Sequence, residues 1–517
     1  MAKSYRIFPG VGIARIGNSS KYFIGPESPY VSSDGPFKER GRIKKQAARF
    51  RVYEFEIDES GRETLVGEVL DSQDTSIEWH VHLANKKAAS RTVPNVELDV
   101  NGNERLRNPG YDQSKLTIEA HDAIKGPSVQ NAMMAGEIIF LNTRRNVVEG
   151  RDTVKLGHLE TDSQGRLLVI GGDGVSKSPI SRRMNDFANN PGWYDDCCDG
   201  PVNATLTING QSVEVEGAWV VVCSPAYAPD IMNVVTWYDQ ARSVDASSRN
   251  PMAFIEAPSF THDIYPILKR ASQLQWVSQT ADAGHGRNRA GDFLDSKKLS
   301  VLSSTDRANQ SERSRILSRL MPPNTPAPGP QRLPPNSQNM PMLYSGVDPQ
   351  DLTKCQYASL TPLQYSHMQK WANGDFIEDW QGEPPGIQFD DIPLAEQPQA
   401  LDKAALQACI GGPFFPGIES TYLMALPSTY IDSYRIDPAF GAGYMTQFMA
   451  LPWQADYIAC GKLWWPAQRP VSVETGNGRA DFDRGIKDYA DMRDHWSKLG
   501  FIVRDGDEYI EKERGSI

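Results

Sequence analysis

The spacing of the hydrophobic residues changes near residue 225, and this change constrains the fold more than any other feature. Before it, apolar and polar residues alternate, as in RFRVYEFEIDESGRETLV (49–66) and ATLTINGQSVEVEGAWVVVC (204–223). Alternation predicts half-buried strands, and Asn209-Gly210 predicts a two-residue hairpin turn. From Phe260 the apolar residues follow helical spacing instead. We therefore expect an α+β fold with a β-rich N-terminal half and a loop-rich C-terminal half that carries short helices.

The same pattern divides the chain into four segments. Residues 1–225 form a predicted β-rich domain and residues 226–320 a mainly helical segment. Eight prolines lie between Pro322 and Pro341, so residues 321–345 are interpreted as a linker or as an extended wrap over the surface. Residues 346–517 form the last domain, in which DFDRGIKDYADMRDHWSKLGFIVR (481–504) is typical of a helix followed by a strand. The predicted apolar face of that helix carries Phe482, Ile486, Tyr489, Met492, Trp496 and Leu499.

Charge and composition exclude several classes of function. The net charge of −11 argues against nucleic acid and against an anionic membrane surface as partners. The longest apolar runs, such as AWVVVC (218–223), have the length of a strand, so no membrane span is predicted. The first residues lack the apolar run of a secretory signal, and six cysteines do not make a disulfide scaffold. We expect a cytoplasmic protein, with export by a route without a signal peptide left open.

Several motifs are too weak to assign a site. The stretches 10–17 and 171–178 resemble nucleotide-binding loops, but each lacks a required glycine. His80 and His82 in WHVHLANKK would share one face of a strand. Since no third ligand follows at a telling distance, we interpret them as structural histidines and predict no metal. Cys197 and Cys198 in WYDDCCDGPV are interpreted as small thiols in a turn, with metal binding as the alternative.

The stretch ALPWQADYIACGKLWWPAQRP (450–470) combines an aspartate, a cysteine and three tryptophans between prolines. On a helix that begins near Pro452 and ends at Pro466, Asp456 and Cys460 would share a face because they are four residues apart. Indole walls would desolvate the carboxylate and bring its pKa towards that of a general base. The alternative is a short amphipathic helix that packs its aromatic residues into the core.

Taken together, several stretches resemble the LodA-like family of cysteine tryptophylquinone-dependent amino-acid and amine oxidases, which includes lysine ε-oxidases and glycine oxidases. The resemblance runs from about residue 5 to about residue 505. Its motifs are YRIFPGVGIARIGNS, WHVHLANKKAA, NPGWYDDCCDGPV, FTHDIYPILKR, CIGGPFFPGIE and PWQADYIACGKLWWPAQRP. Where the family has small hydroxyl residues, this chain has Cys197 and Cys198.

The resemblance implies a cofactor made from the protein itself, in which a cysteine sulfur is joined to a tryptophan ring that gains two oxygens. It assigns the sulfur to Cys460, the essential aspartate to Asp456 and the quinone ring to Trp496, with Trp464 as the alternative ring. Residues 346–517 would then be the cofactor-bearing catalytic domain. The loop ACIGGPFFPG would reach the substrate pocket and bring Cys409 near the quinone, the alternative being a turn with a buried thiol. A cysteine here, where glycine oxidases carry a histidine, disfavours glycine as the substrate.

The resemblance implies oxidative deamination of a primary amine, and the first candidate substrate is the amine of an amino acid. The quinone offers a carbonyl to the amine and accepts two electrons, and Asp456 removes a proton. An aldehyde or oxo-acid, ammonia and hydrogen peroxide would be released, with molecular oxygen as the acceptor. The family also implies a flavoprotein maturation partner and a homo-oligomer, often a tetramer. Two alternatives stay open: a dehydrogenase with the same cofactor but another electron acceptor, and a non-enzymatic binding protein.

Overall fold

The computed structural model describes residues 2–31, 35–93, 105–130, 132–323, 340–341, 344–346, 355–357, 359–411, 417–459 and 466–517. Fifteen strands precede the first α-helix in this part of the chain. They are β1 (Ala2–Phe8), β2 (Val11–Arg15), β3 (Tyr22–Ile24), β4 (Lys38–Glu39), β5 (Arg42–Ile43), β6 (Lys45–Ile57), β7 (Glu63–Val69), β8 (Thr75–Asn85), β9 (Ile118–Lys125), β10 (Ala132–Asn142), β11 (Val147–Thr161), β12 (Leu167–Gly171), β13 (Cys198–Ile208), β14 (Gln211–Val213) and β15 (Ala218–Cys223). The N-terminal half is therefore β-rich, as predicted.

One large sheet contains all of these strands except β4 and β5, which pair with each other. Its main order is β10-β11-β12-β6-β2-β15-β13-β8-β9, while β1, β3 and β7 pair with β6, and β14 pairs with β13. The predicted hairpin is present, since Ile208 of β13 lies opposite Gln211 of β14, and the alternating stretch 49–66 forms the paired strands β6 and β7. Asn209 and Gly210 have φ values of 50° and 76°, which is the geometry that a tight two-residue hairpin needs.

The centre of the sheet is buried on both faces. All six residues of β15 are buried, and β15 runs parallel to β2. A continuous apolar run is typical of such a central strand, since neither face meets water. Trp219 and Val221 belong to one core cluster, and Val220 and Val222 belong to a second cluster that also contains Trp496. The alternation along β15 thus separates two cores, and the candidate site lies in the second.

The second half of the chain consists of short helices and small hairpins, in agreement with the predicted α+β class. Its α-helices are α1 (Trp237–Ser248), α2 (Tyr265–Gln273), α3 (Gln279–His285), α4 (Ser296–Leu302), α5 (Gln310–Leu317), α6 (Pro362–Asn373), α7 (Gln397–Gln407), α8 (Trp453–Ala459) and α9 (Tyr489–His495). Its strands are β16 (Tyr344–Gly346), β17 (Cys355–Tyr357), β18 (Tyr430–Asp432), β19 (Arg435–Ile436), β20 (Ser472–Thr475), β21 (Gly478–Asp481), β22 (Phe501–Asp505) and β23 (Glu508–Lys512). None of the described helices is long and apolar enough to cross a bilayer.

Shorter helical turns connect these elements. A single π-helical turn spans Phe260–Ile264 and leads directly into α2. The 3₁₀ turns span Gln113–Lys115, Pro251–Phe254, Leu274–Trp276, Arg307–Asn309, Phe389–Asp391, Leu394–Glu396, Tyr422–Ala425, Pro427–Thr429, Pro438–Phe440 and Trp496–Lys498.

The helix predicted across residues 482–499 is shorter than its apolar pattern indicated. Only Tyr489–His495 is α-helical, followed by the 3₁₀ turn that begins at Trp496. Gly485 has a φ of 92°, which interrupts a helix, and the Asp488 side chain accepts a hydrogen bond from the Asp491 backbone N–H and so starts a new one. Phe482 is nevertheless fully buried. The apolar residues therefore reach the core as predicted, although a turn carries some of them.

Most of the proline-rich segment (residues 324–339) lies outside the described residues, and the division into four segments stays a prediction. The two ends of the segment meet in space. The Met340 backbone N–H donates to the carbonyl oxygen of Arg319 at 3.0 Å, and the Met321 N–H donates to that of Met340 at 2.9 Å. The described residues on either side of the segment are thus joined by two backbone hydrogen bonds.

Candidate active site

A buried carboxylate holds the start of α8. Asp195 Oδ2 accepts hydrogen bonds from the backbone N–H of Trp453 at 2.9 Å and from Lys87 Nζ at 2.7 Å. Lys87 Nζ also donates to the carbonyl oxygen of Ala450 at 3.0 Å, and both members of the ion pair are fully buried. A negative charge at a helix N-terminus is favourable because the first backbone N–H groups point towards it. Asp195 therefore determines where α8 begins and in which direction it runs.

Asp456 lies one turn into α8 and is buried, with 1% of its surface exposed. Tyr489, the first residue of α9, lies close to it. Burial raises the pKa of the Tyr489 phenol, and the negative charges of Asp186 and Asp456 raise it further. The carboxylate that the sequence singled out thus lies next to a phenol that keeps its proton, in the contact between α8 and α9.

Trp496 follows α9 directly and packs against α8, as predicted for the tryptophan of a second helix. Its ring lies edge-to-face on that of Trp453, with the ring centroids 5.3 Å apart and the planes at 74°. Trp453 in turn contacts Tyr457 edge-to-face at 5.0 Å. The Tyr227 hydroxyl donates to the carbonyl oxygen of Trp496 at 2.7 Å, which ties the backbone of this turn to the segment after β15. The position of the indole is therefore fixed by the ring of Trp453 on α8 and by the hydrogen bond to the Trp496 backbone carbonyl.

Gly174 brings the backbone against the six-membered ring of Trp496. A Cβ atom on Gly174 would lie 2.1 Å from Cζ2 and 2.7 Å from Cη2 of Trp496, and the φ of Gly174 is 80°. Its N–H donates to Asp196 Oδ2 at 2.7 Å, and its carbonyl oxygen accepts from Gln454 Nε2 at 3.1 Å. The stretch that resembled a phosphate loop is therefore a glycine loop that packs on an indole.

Cys409 lies in a separate buried polar cluster. Its thiol is 3.8 Å from Arg15 Nη2, and Arg15 forms a buried ion pair with Glu419. Burial raises the pKa of the Cys409 thiol well above its usual range, and the negative charge of Glu419 acts in the same direction. The cluster reaches α8 through Ser224, whose carbonyl oxygen accepts from Arg15 Nη1 at 3.1 Å and whose Oγ accepts from the Tyr457 hydroxyl at 2.9 Å. Cys409 is thus a protonated thiol, and its role in a substrate pocket stays a prediction.

Two models of the L-lysine epsilon oxidase family match the chain: the N-terminal model covers residues 8–222, and the C-terminal domain model covers residues 336–475. The chain belongs to the LodA-like family. The second match includes α8.

A curated relative and solved structures agree with this membership. The L-lysine 6-oxidase of Marinomonas mediterranea is 26% identical over an alignment of 666 residues that covers 96% of this chain and 86% of the relative. The crystal structure of the Schiff base intermediate of L-Lys epsilon-oxidase from the same organism, with L-Lys, superposes with a TM-score of 0.74 at 24% identity, covering 99% of this chain and 95% of that one. Another structure of the epsilon-lysine oxidase from that organism gives a TM-score of 0.75 at 23% identity with the same coverage. This LodA-like chain is an oxidoreductase that acts on amine groups.

Three of the residues that the sequence proposed for the site can be placed. Asp456 lies near Tyr489 of α9, Trp496 packs on Trp453 of the helix that carries Asp456, and Cys409 lies in the Arg15 cluster. Cys460 and Trp464 lie outside the described residues.

Cys197 and Cys198, for which metal binding was the alternative, are fully buried thiols. Cys198 Sγ lies 3.8 Å from the carbonyl oxygen of Leu156. Cys198 is the first residue of strand β13 and pairs with Val222, so the predicted turn is wrong for Cys198.

The sequence assigned no role in the site to four residues that build it: Gly174, Asp195, Asp196 and Tyr489. Asp196 is completely buried. Burial, together with the negative charge of Asp195, raises the pKa of its carboxyl to about 7, although hydrogen bonds from the N–H groups of Gly174 and Val175 act in the opposite direction. The acidic run around the two cysteines was the only visible signal, and it does not say which backbone each carboxylate serves.

Replacing Gly174 with alanine should destabilise the protein by about 2–4 kcal/mol, because the new Cβ both overlaps Trp496 and requires a positive φ. Gly210→Ala is the matched control, since Gly210 has a φ of 76° but no heavy atom within 4 Å of its Cβ position. The control should lose only about 1 kcal/mol. Urea titrations followed by circular dichroism measure both free energies of unfolding. Equal losses in the two variants would contradict the close contact with Trp496.

Asp196→Asn should change how stability depends on pH. The folded-state pKa of about 7 lies above the unfolded value of 3.8, so the folded protein binds more protons between these two pH values. The wild type therefore loses stability as pH rises through this window, by at most about 1.4 kcal/mol per pH unit from this group. The variant lacks this loss, so its free energy of unfolding should rise relative to the wild type from pH 4 to pH 7.

Asp402 provides a comparison on α7, because burial raises the pKa of its carboxyl to about 7 as well. Asp402→Asn should show the same relative gain across the window. Urea titrations at several pH values measure both variants. A difference between wild type and Asp196→Asn that stays constant with pH would contradict the raised pKa.

Proposed function

We propose that this protein oxidatively deaminates a primary amine, first of all that of an amino acid, through a cysteine tryptophylquinone formed from Cys460 and Trp496. The observation that carries the proposal is that one short helix, α8, carries the buried carboxylate of Asp456 and, at Trp453, the ring on which the buried indole of Trp496 packs. Cys460 follows α8 in the sequence. The lysine oxidases among the relatives make L-lysine the first amine to test.

The residues around Trp496 fit an oxygenated ring on two counts. An ortho-quinone carries oxygens on two adjacent ring carbons, and the neighbour of the adjacent atoms Cζ2 and Cη2 is Gly174, which places no side chain beside them. The Nε1–H of Trp453 is a buried donor without a hydrogen-bond partner among the described residues, and it lies on the ring that packs against Trp496. Carbonyl oxygens are acceptors, and buried donors are seldom left without one. Other orphaned polar atoms lie on the adjoining segments, namely Asp196 Oδ1, Gln454 Oε1 and Ser176 Oγ.

The quinone supplies the electrophilic carbonyl and the two-electron acceptor that ordinary side chains lack. Asp456 takes the proton from the carbon that bears the amine, acting as a general base. Its burial excludes water, which strengthens the interaction of the carboxylate with a cationic amine. Tyr489 keeps its proton, because its pKa is raised, and so offers a donor beside Asp456. The balanced reaction consumes one amine, one oxygen and one water, and releases an aldehyde or oxo-acid, ammonia and hydrogen peroxide.

Maturation and assembly belong to the same proposal. A separate flavoprotein inserts the ring oxygens, and the mature protein is a homo-oligomer, a tetramer in the first instance. The protein folds in the cytoplasm, with export by a route without a signal peptide as a further possibility. Neither nucleic acid nor a membrane is a partner, in line with the net charge of −11.

Peptide mass mapping of protein co-expressed with the flavoprotein tests the cofactor. We expect the Cys460 and Trp496 peptides to be joined, with one hydrogen lost from each partner and one ring hydrogen replaced by each of two oxygens. Trp496→Phe should abolish the joined species, while Trp464→Phe, the matched control, should retain it. The opposite pattern would move the cofactor to Trp464. Unmodified peptides in the co-expressed wild type would refute the quinone.

Oxygen consumption on addition of L-lysine separates the oxidase from a dehydrogenase with the same cofactor. An oxidase consumes oxygen and produces peroxide without an added acceptor. A joined cofactor with turnover only in the presence of an artificial acceptor dye would support the dehydrogenase instead.

Asp456→Asn should lower kcat by about 10²–10⁴-fold per crosslinked molecule, because general-base catalysis contributes about this much. The rate is divided by the crosslinked fraction from mass mapping, so that a failure of maturation is not read as a failure of catalysis. Asp402→Asn is the control, since it changes a buried carboxyl on α7 instead. A fully crosslinked Asp456→Asn protein with wild-type kcat would exclude Asp456 as the base.

A further inference from the structure

Two histidines and a glutamate meet on the neighbouring strands β8 and β9. His82 lies directly opposite His121 in the antiparallel pairing, and their rings stack with centroids 3.6 Å apart and planes at 24°. Glu119 precedes His121 by two residues on β9, so both side chains point to the same face of the sheet. One ligand atom from each of the three residues lies within 4.8 Å of the other two.

The orientation of His82 points to a ligand. Its Nε2 atom is buried and has no hydrogen-bond partner among the described residues. A buried ring nitrogen without a partner is uncommon, because buried polar groups are nearly always satisfied. Glu119 and His121 are exposed, so an ion could reach the three groups from solvent.

We propose that His82, Glu119 and His121 bind one divalent transition-metal ion, of which Zn²⁺ is the probe of choice. Two imidazole nitrogens and one carboxylate oxygen are a common ligand set for this ion, with water in the fourth position. Bonds of 2.0–2.1 Å in a tetrahedron separate ligand atoms by about 3.3 Å, so side-chain rotations suffice to close the site. The charge of Lys86, which lies near His82, opposes a cation, and the carboxylate of Glu119 offsets it.

This site is not the histidine pair that the sequence suggested. His80, the other histidine of WHVHLANKK, lies with its Nε2 atom 3.0 Å from Thr205 Oγ1, on the neighbouring strand β13. The other two ligands, Glu119 and His121, lie on β9, about forty residues further along the chain. The expectation of no metal rested on the absence of a nearby third ligand, and the strand pairing supplies one.

The ion would join β9, the last strand on this side of the sheet, to β8. At the end of β8, Asn85 Nδ2 donates to Asp195 Oδ1 at 3.0 Å, and Asp195 holds the start of α8. Binding to the folded state alone stabilises it by mass action. The expected effect is therefore a rise in the unfolding temperature, not a change in the chemistry at Trp496.

Zn²⁺ competition between the full-length protein, freed of metal by a chelator, and a chromogenic indicator tests the proposal. The wild type should bind one Zn²⁺ at this site, and His121→Ala should weaken that binding about 10-fold or more. His80→Ala is the matched control and should bind as the wild type does. Co²⁺ should give the visible bands of a tetrahedral ion in the wild type and in His80→Ala only.

Thermal unfolding provides a second measurement that does not depend on the indicator. Zn²⁺ should raise the unfolding temperature of the wild type and of His80→Ala, and should leave that of His121→Ala unchanged. The proposal is overturned if His121→Ala binds Zn²⁺ as tightly as the wild type, or if both variants lose binding equally. Since His121 is exposed on an edge strand, its replacement should leave the fold intact, which circular dichroism checks.

Discussion

The candidate active site depends on the buried ion pair between Asp195 and Lys87. Both side chains are fully buried, so their charges are tolerable only because each is paired and hydrogen-bonded. The Asp195 carboxylate joins the residues at the end of β8 to the first N–H of α8, and Lys87 holds the carbonyl of Ala450 just before that helix. Removal of one partner from such a pair costs about 3–5 kcal/mol. The position of Asp456 one turn further on follows from this anchor.

The surroundings of Trp496 illustrate a second constraint, that of space. The ring of Trp453 packs on one side of the indole, and the backbone of Gly174 packs on another. Asp196 holds the glycine loop in place through two backbone N–H groups, at the cost of a carboxyl whose pKa rises to about 7. Fixing a loop with a buried aspartate that is uncharged or only partly charged costs free energy. This cost is consistent with a loop whose position relative to the ring matters for function.

Much of the fold followed from local pattern. Alternation located the β6–β7 hairpin, and Asn209-Gly210 located the turn between β13 and β14, since both signals act between near neighbours in the chain. The roles of the site residues stay predictions. The resemblance and the helical spacing singled out Asp456 and Trp496, but the length of the second helix was overestimated, because the apolar period continued through Gly485 where the backbone does not. Apolar spacing predicts which residues are buried, but not whether a helix carries them. Phe482 is buried although it lies in a turn.

The sequence by itself determined the α+β class and the hairpin turn at Asn209-Gly210, and its resemblance to the family proposed the aspartate and the tryptophan that a quinone chemistry would need. Only the tertiary structure decided which distant groups meet one another: Gly174 against the ring of Trp496, Asp195 at the start of α8, and His121 across from His82. The physical reason is the range of the forces involved. Turn geometry and helical or strand periodicity act over a few residues, whereas a side-chain contact between remote segments exists only once the sheet has chosen its strand order and the cores have packed.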